Sequence, residues 1–182
     1  REVDVPAELK LALFPTRAGT IELGPYEVDV AVRLGSDSLF TAFDEIRRAR
    51  RRSAPVTVLV KPLPPGAPAG FEPVNVGGWK LAATASADRV EAGQPVVVSV
   101  TATGDGNVRA LALPPLPAVP GTRALASASS EEVTRKGGRL GGSRTLETVI
   151  VPDREGELAV PPLAWPFFSP RKGRYELART PA

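Results

Sequence analysis

One pattern of punctuation occurs twice in this chain. Pro15, Gly19, Ile21, Leu23 and Pro25 return as Pro152, Gly156, Leu158, Val160 and Pro162, every matched pair 137 positions apart. In each copy a proline closes an alternating run (Leu9, Leu11 and Leu13 before Pro15; Thr148 and Ile150 before Pro152), because a residue without an N–H cannot serve a central ladder. A polar loop with a glycine then reverses the chain, and a new alternation places Ile21/Leu23 and Leu158/Val160 on one face of a strand. The second proline breaks that strand before another begins at Tyr26 or Leu163. Parallel strands would need helical crossovers, and no helical pattern lies between these runs. The grammar is that of antiparallel sandwiches, and two copies of one unit are the simplest reading. Only the second copy has a long strand-like stretch before it, whereas the first begins fifteen residues into a chain that opens at Arg1. The expectation is the tail end of one β-domain followed by a complete second one.

With 182 residues the chain has room for one or two domains, and the stretch from about Gly70 onward is long enough to bury its own core. Strands are predicted near 8–14, 20–24, 26–34 and 56–62, then near 79–86, 95–103, 107–112, 122–126, 129–135, 143–151, 157–160, 164–168 and 173–179. Between Ser36 and Ser53 the period changes. Leu39, Phe40, Phe43 and Ile46 fall at helical spacing behind the candidate caps Ser36, Asp37 and Ser38, which predicts a short helical insertion near 38–50. Lys61-Pro-Leu-Pro-Pro-Gly-Ala-Pro68 reads as a stiff polyproline-type spacer. The expected fold class is all-β: tandem immunoglobulin-like β-sandwiches, the first truncated (residues 1–62), a Pro-rich linker (63–69) and a complete second sandwich (70–182).

Composition narrows the chemistry. The net charge is only +3, and most basic residues are scattered rather than gathered with aromatic partners, so no nucleic-acid footprint is expected. Cysteine and histidine are absent, which removes disulfides, thiolate metal sites, the thiol nucleophile and the usual general base. No nucleophile elbow, phosphate loop or zinc spacing is present. The chain is expected to be no enzyme and to carry no cofactor or metal of its own. No apolar run reaches the length of a membrane span.

Three local features are candidates for more than packing. Gly104-Asp-Gly-Asn107 resembles a calcium loop, but Val108, Arg109 and Ala110 supply no further oxygens, so a type I′ hairpin turn is expected. Arg47, Arg48, Arg50, Arg51 and Arg52 form the one dense charge run. It can be a solvated helix end, a contact for an acidic partner through arginine's bidentate geometry, or a contact for anionic lipid at about 1 kcal/mol per residue. Trp79 and Trp165 would form a sugar platform or interface anchor if exposed. Their alternation with Leu81, Ala83 and Phe167 predicts that they pack the core instead.

Taken in order, Val58-Leu-Val-Lys-Pro-Leu-Pro, Gly70-Phe with Val76-Gly77, Val90-Glu-Ala-Gly-Gln-Pro-Val, Gly104-Asp-Gly-Asn107, Val151-Pro-Asp-Arg-Glu-Gly156 and Phe168-Ser-Pro-Arg-Lys-Gly173-Arg-Tyr175 resemble the BatD oxygen-tolerance family, from about Phe14 to Tyr175. The resemblance implies a bacterial envelope protein with tandem immunoglobulin-like domains in the periplasm and a membrane anchor outside this stretch. It also implies a genetic neighbourhood of von Willebrand A-domain proteins, tetratricopeptide-repeat proteins and a MoxR-type ATPase, and a link to aerotolerance or stress resistance. It supplies no catalytic residues. In that context Glu131 and Glu132, expected on a strand edge facing water, could complete the divalent-metal site of a von Willebrand A partner, given the oxygen preference of Mg²⁺. The resulting expectation is a non-enzymatic periplasmic scaffold whose partner-binding residues are Arg47, Arg48, Arg50, Arg51, Arg52, Glu131 and Glu132. The alternative is a carbohydrate- or peptidoglycan-binding module.

Overall fold

A computed structural model describes residues 10–34 and 45–181, with the backbone alone described for 32–34 and 45–47. The chain separates into two compact bodies. One is Pro15–Leu63; the other takes Pro64 onward, together with the short segment ending at Phe14. The all-β expectation holds in both.

The first body is a ribbon of four strands, β1 (Gly19–Leu23), β2 (Glu27–Leu34), β3 (Glu45–Arg52) and β4 (Val56–Val60). β1 pairs with β4, and β2 with β3, both antiparallel. The register runs unbroken through the interruption between them: Leu23 opposes Val56, and after Gly24-Pro25 on one side and Ala54-Pro55 on the other, Glu27 opposes Arg52. The prolines cannot donate to a ladder. Their gap is closed by the Ser53 amide donating to the Tyr26 carbonyl (2.9 Å) and the Tyr26 amide donating to Ser53 Oγ (2.9 Å). Across this corner the apolar side changes parity, from Ile21 and Leu23 before it to Val28 and Val30 after it. Strands that pass from one sheet of a sandwich to the other bend in this way.

The helical insertion is not borne out where it can be seen. Residues 45–52 form β3, paired with β2 along its whole length, while residues 38–44 lie outside the described residues. Leu39, Phe40, Phe43 and Ile46 match a helical period, but from Glu45 onward the ladder to the alternating Val28, Val30 and Val32 sets the conformation. The strand expected near 8–14 is irregular over its described part, 10–14.

The second body is a β-sandwich. β5 (Gly77–Ala85), β6 (Val96–Gly106), β8 (Arg139–Pro152) and β7 (Thr122–Lys136) form an antiparallel sheet in the order β5-β6-β8-β7, and β9 (Ala164–Ser169) pairs with β10 (Arg174–Arg179) in a second. These six strands are fewer than the sequence suggests, for identifiable reasons. The stretches read as 122–126 and 129–135 are one strand, bulged between Ala124 and Ala126. The stretch 107–112 holds a 3₁₀ turn at Val108–Ala110. Residues 157–160 keep their alternation, with Leu158 and Val160 half-buried, but find no strand to pair with.

Alternation also places the core. Trp79, Leu81, Val100, Ala102, Trp165 and Phe167 point inward with Val108, Leu111 and Leu163, and Val96, Val98 and Ile150 form a second cluster sealed by Leu116 and Val160. Most buried polar side chains are paired, as burial demands, the exception among the described residues being Trp79 Nε1, which has no hydrogen-bond partner. Asn75, fully buried, accepts from the Ala112 amide (2.9 Å) and donates through Nδ2 to its carbonyl (3.0 Å), while the same carbonyl accepts from Trp165 Nε1 (2.8 Å). The Asn75 carbonyl in turn accepts from the Phe168 amide at 2.9 Å. One asparagine therefore ties the entry to β5, the loop after the 3₁₀ turn and β9 together.

Gly104-Asp-Gly-Asn107 is not a hairpin turn: β6 continues through Gly106, with Gly104 opposite Trp79 on one side and Gly142 on the other. The residues are glycine because the strands crowd there. A Cβ on Gly104 would run into the Gly78 carbonyl, and one on Gly106 would stand 2.6 Å from Trp79 Cζ2. The indole of Trp79 lies against bare backbone.

Candidate partner interface

β3 alternates its arginines between two faces. Arg48, Arg50 and Arg52 stand opposite Ala31, Asp29 and Glu27; Arg47 and Arg51 stand opposite Val32 and Val28, with Ala49 opposite Val30 between them. Arg50 makes a bidentate pair with Asp29 (Nε to Oδ1 2.8 Å, Nη2 to Oδ2 3.3 Å), and Arg52 Nε lies 3.5 Å from Glu27. The hydrogen bond that it donates to the Asp29 carboxylate raises the Arg50 guanidinium above its ordinary pKa. Arg48 and Arg51 are exposed and have no ion-pair partner among the described residues. The run is thus split into a partly neutralised face and a face on which arginine flanks exposed valines. The sequence reading missed this neutralisation, although Glu27 and Asp29 carry its signal: a two-residue acidic spacing that answers the spacing of Arg50 and Arg52.

Glu131 and Glu132 lie on β7, the outermost strand of the larger sheet, on opposite faces. Glu131 stands opposite Arg144, and its carboxylate is 3.7 Å from Arg109. Arg144 Nη1 donates to the Arg109 carbonyl at 2.5 Å. Glu132, opposite Ser143, has no ion-pair partner among the described residues. The two candidate groups, arginines and glutamates, fall in different bodies.

Trp79 and Trp165 are buried, as their alternation predicts, at 5% and 2% exposure. A tryptophan platform for sugars is therefore absent. Trp79 instead forms the floor of a shallow cleft of about 490 Å³, with Phe167, Arg174 and Glu176 on its walls. The Glu176 carboxylate accepts from Lys172 Nζ (2.7 Å) and from Arg174 Nη2 (3.3 Å), and the lysine above all holds it below the ordinary carboxylate range. On the far side of β10 the Tyr175 hydroxyl donates to the Pro64 carbonyl (2.7 Å), and its ring meets Phe71 and Phe168 edge-on. That bond anchors the proline-rich segment to the second body from Pro64 onward.

Two antiparallel sheets packed around a buried core make the second body a small all-β sandwich domain by class. The sequence model of the BatD family, described as BatD DUF11 like domain, matches residues 83–180, more than half of the chain and nearly all of the sandwich. The chain belongs to the BatD family, whose members are membrane-associated envelope proteins. No curated protein and no solved structure matches it significantly. Among the described residues no helix is long and apolar enough to cross a membrane.

Proposed function

We propose that this chain is a non-enzymatic scaffold module on the periplasmic side of a membrane-anchored BatD-like protein. It binds envelope partners, von Willebrand A-domain and tetratricopeptide-repeat proteins among them, in a role tied to aerotolerance and stress resistance. The observation that carries this reading is the face of the ribbon that sets Arg51 opposite Val28 and Ala49 opposite Val30, with both valines about 40% exposed. Arginine beside exposed aliphatic side chains suits an acidic protein surface with an apolar centre, since guanidinium groups grip carboxylates bidentately and desolvate more readily than ammonium.

The test is a pull-down from the solubilised envelope of the source cells, using the chain and a variant with Arg51, on the valine face, changed to alanine. Recovery of a von Willebrand A-domain or tetratricopeptide-repeat protein by the parent chain, lost in the variant, is expected. A chelator that releases the protein would add a contact from Glu131 or Glu132 to a partner's divalent cation. Recovery of no protein, with retention on purified peptidoglycan, would replace this reading with the wall-binding one.

A further inference from the structure

The outer edge of β7 has no strand partner among the described residues, because every ladder pair it makes is with β8. All of β7 beyond Thr122 is exposed. The bulge between Ala124 and Ala126 confines its regular part to Ala126–Lys136, and Gly137 and Gly138, both with positive φ, turn it into β8. Unpaired strand edges recruit other strands unless something on them repels the newcomer. At the end of β7 the sequence is Glu131-Glu-Val-Thr-Arg-Lys136, acidic then basic around one exposed valine, Val133, at 42% exposure. Glu132, Arg135 and Lys136 have no ion-pair partner among the described residues.

We infer that this edge is self-complementary and pairs β7 antiparallel with β7 of a second copy, centred on Val133. Among registers centred on the charged end of the strand, residues 131–136, the geometry restricts the choices. Two identical strands placed side by side and antiparallel are related by a twofold axis normal to the sheet, which keeps each face on its own side. Each register is therefore centred on a residue that meets its own equivalent. Centring on Glu131, Glu132, Arg135 or Lys136 sets like charges directly opposite each other, which is destabilising. Centring on Thr134 leaves Glu131 opposite Gly137 and sets Val133 against a charged Arg135. Centring on Val133 brings the two valines together and sets Glu131 opposite Arg135 of the second copy, twice by symmetry. Glu132 is then opposite Thr134 and diagonal to Lys136, within reach of long side chains. The contact is isologous and joins the two four-stranded sheets into one of eight.

Sedimentation equilibrium of the whole chain across a range of concentrations and salt tests this. A monomer–dimer equilibrium that weakens as salt rises is expected. Because Val133 meets itself, Val133→Lys and Val133→Glu each place like charges on the twofold and lower the association constant by about tenfold or more, while their equimolar mixture regains association as a heterodimer. Arg135→Glu, which sets a carboxylate opposite Glu131, weakens association as well, and circular dichroism of each variant establishes that it is folded. A wild-type chain that stays monomeric at every concentration would overturn the inference. So would association indifferent to these substitutions, which would locate the contact on another surface, or a mixture that fails to recover.

Discussion

The ribbon and the sandwich are written in the same alternating code, yet among the described residues only the sandwich has a buried core. In the sandwich, Val98 and Val100 on β6 are 2% and 1% exposed, because Leu116 and Val160 pack on the cluster of Val98, and β9 with the loops around Leu111 and Leu163 on that of Val100. In the ribbon, Val56 and Val58 alternate just as cleanly and remain 57% and 41% exposed. An apolar stripe specifies which face seeks burial. The stabilisation arrives only when a second layer covers it, at roughly 25 cal/mol per Å² removed from water. The ribbon's strands are held by ladder hydrogen bonds and its corner clamp, and its valines stay exposed.

The largest expected effect lies where the sandwich is most committed. Trp165→Ala removes the largest fully buried side chain and its bond to the Ala112 carbonyl, and should lower stability by about 3–5 kcal/mol in denaturant titrations followed by circular dichroism. Asn75→Ala comes next. It strips the Ala112 amide of its acceptor in a buried setting and should cost about 1–3 kcal/mol.

In the ribbon the same kind of truncation should do almost nothing. Val58→Ala is expected to change stability by less than about 0.5 kcal/mol. Both tryptophans report on the sandwich alone, so hydrogen exchange is the sharper probe: amides of β2 and β3 should exchange well before those of β6. Protection of the ribbon equal to that of β6 would mean that its valines are covered and the contrast fails.

The smallest effect is one of pH. Glu176 is held low by Lys172 first and by Arg174 as well. A carboxyl lowered in the folded state contributes stability above its unfolded pKa, and that contribution disappears as the pH falls through the folded value. Glu176→Gln should therefore flatten the acid limb of a stability–pH profile, with variant and parent converging at the lowest pH.

Much of the sandwich was legible in the chain. The alternation of Val96, Val98 and Val100 and of Trp165 and Phe167 identified core faces, and the prolines marked where ladders stop. The errors share a cause. Gly104-Asp-Gly-Asn107 looks like a turn because glycine supplies turns, but the same residue also allows strands to crowd an indole, and no local signal separates the two uses. Leu39, Phe40, Phe43 and Ile46 predict a helix whose last turns would run through Arg50; residues 38–44 lie outside the described residues, and from Glu45 onward the ladder to β2 sets a strand instead. The arginine run was visible as charge, whereas its division into a neutralised face and a valine-flanked face required the register against Glu27 and Asp29.

Local chemistry, then, determined the all-β class, the inward residues of each strand and the breaks between them, because side-chain period and the missing N–H of proline act within a few residues. Tertiary structure alone decided which alternating stripe became a core and which stayed a surface, which strand became an edge, and which charge met which. Those outcomes depend on pairing between residues far apart in sequence, such as Asn75 with Ala112 and Asp29 with Arg50, and on whether a second layer is there to receive an apolar face.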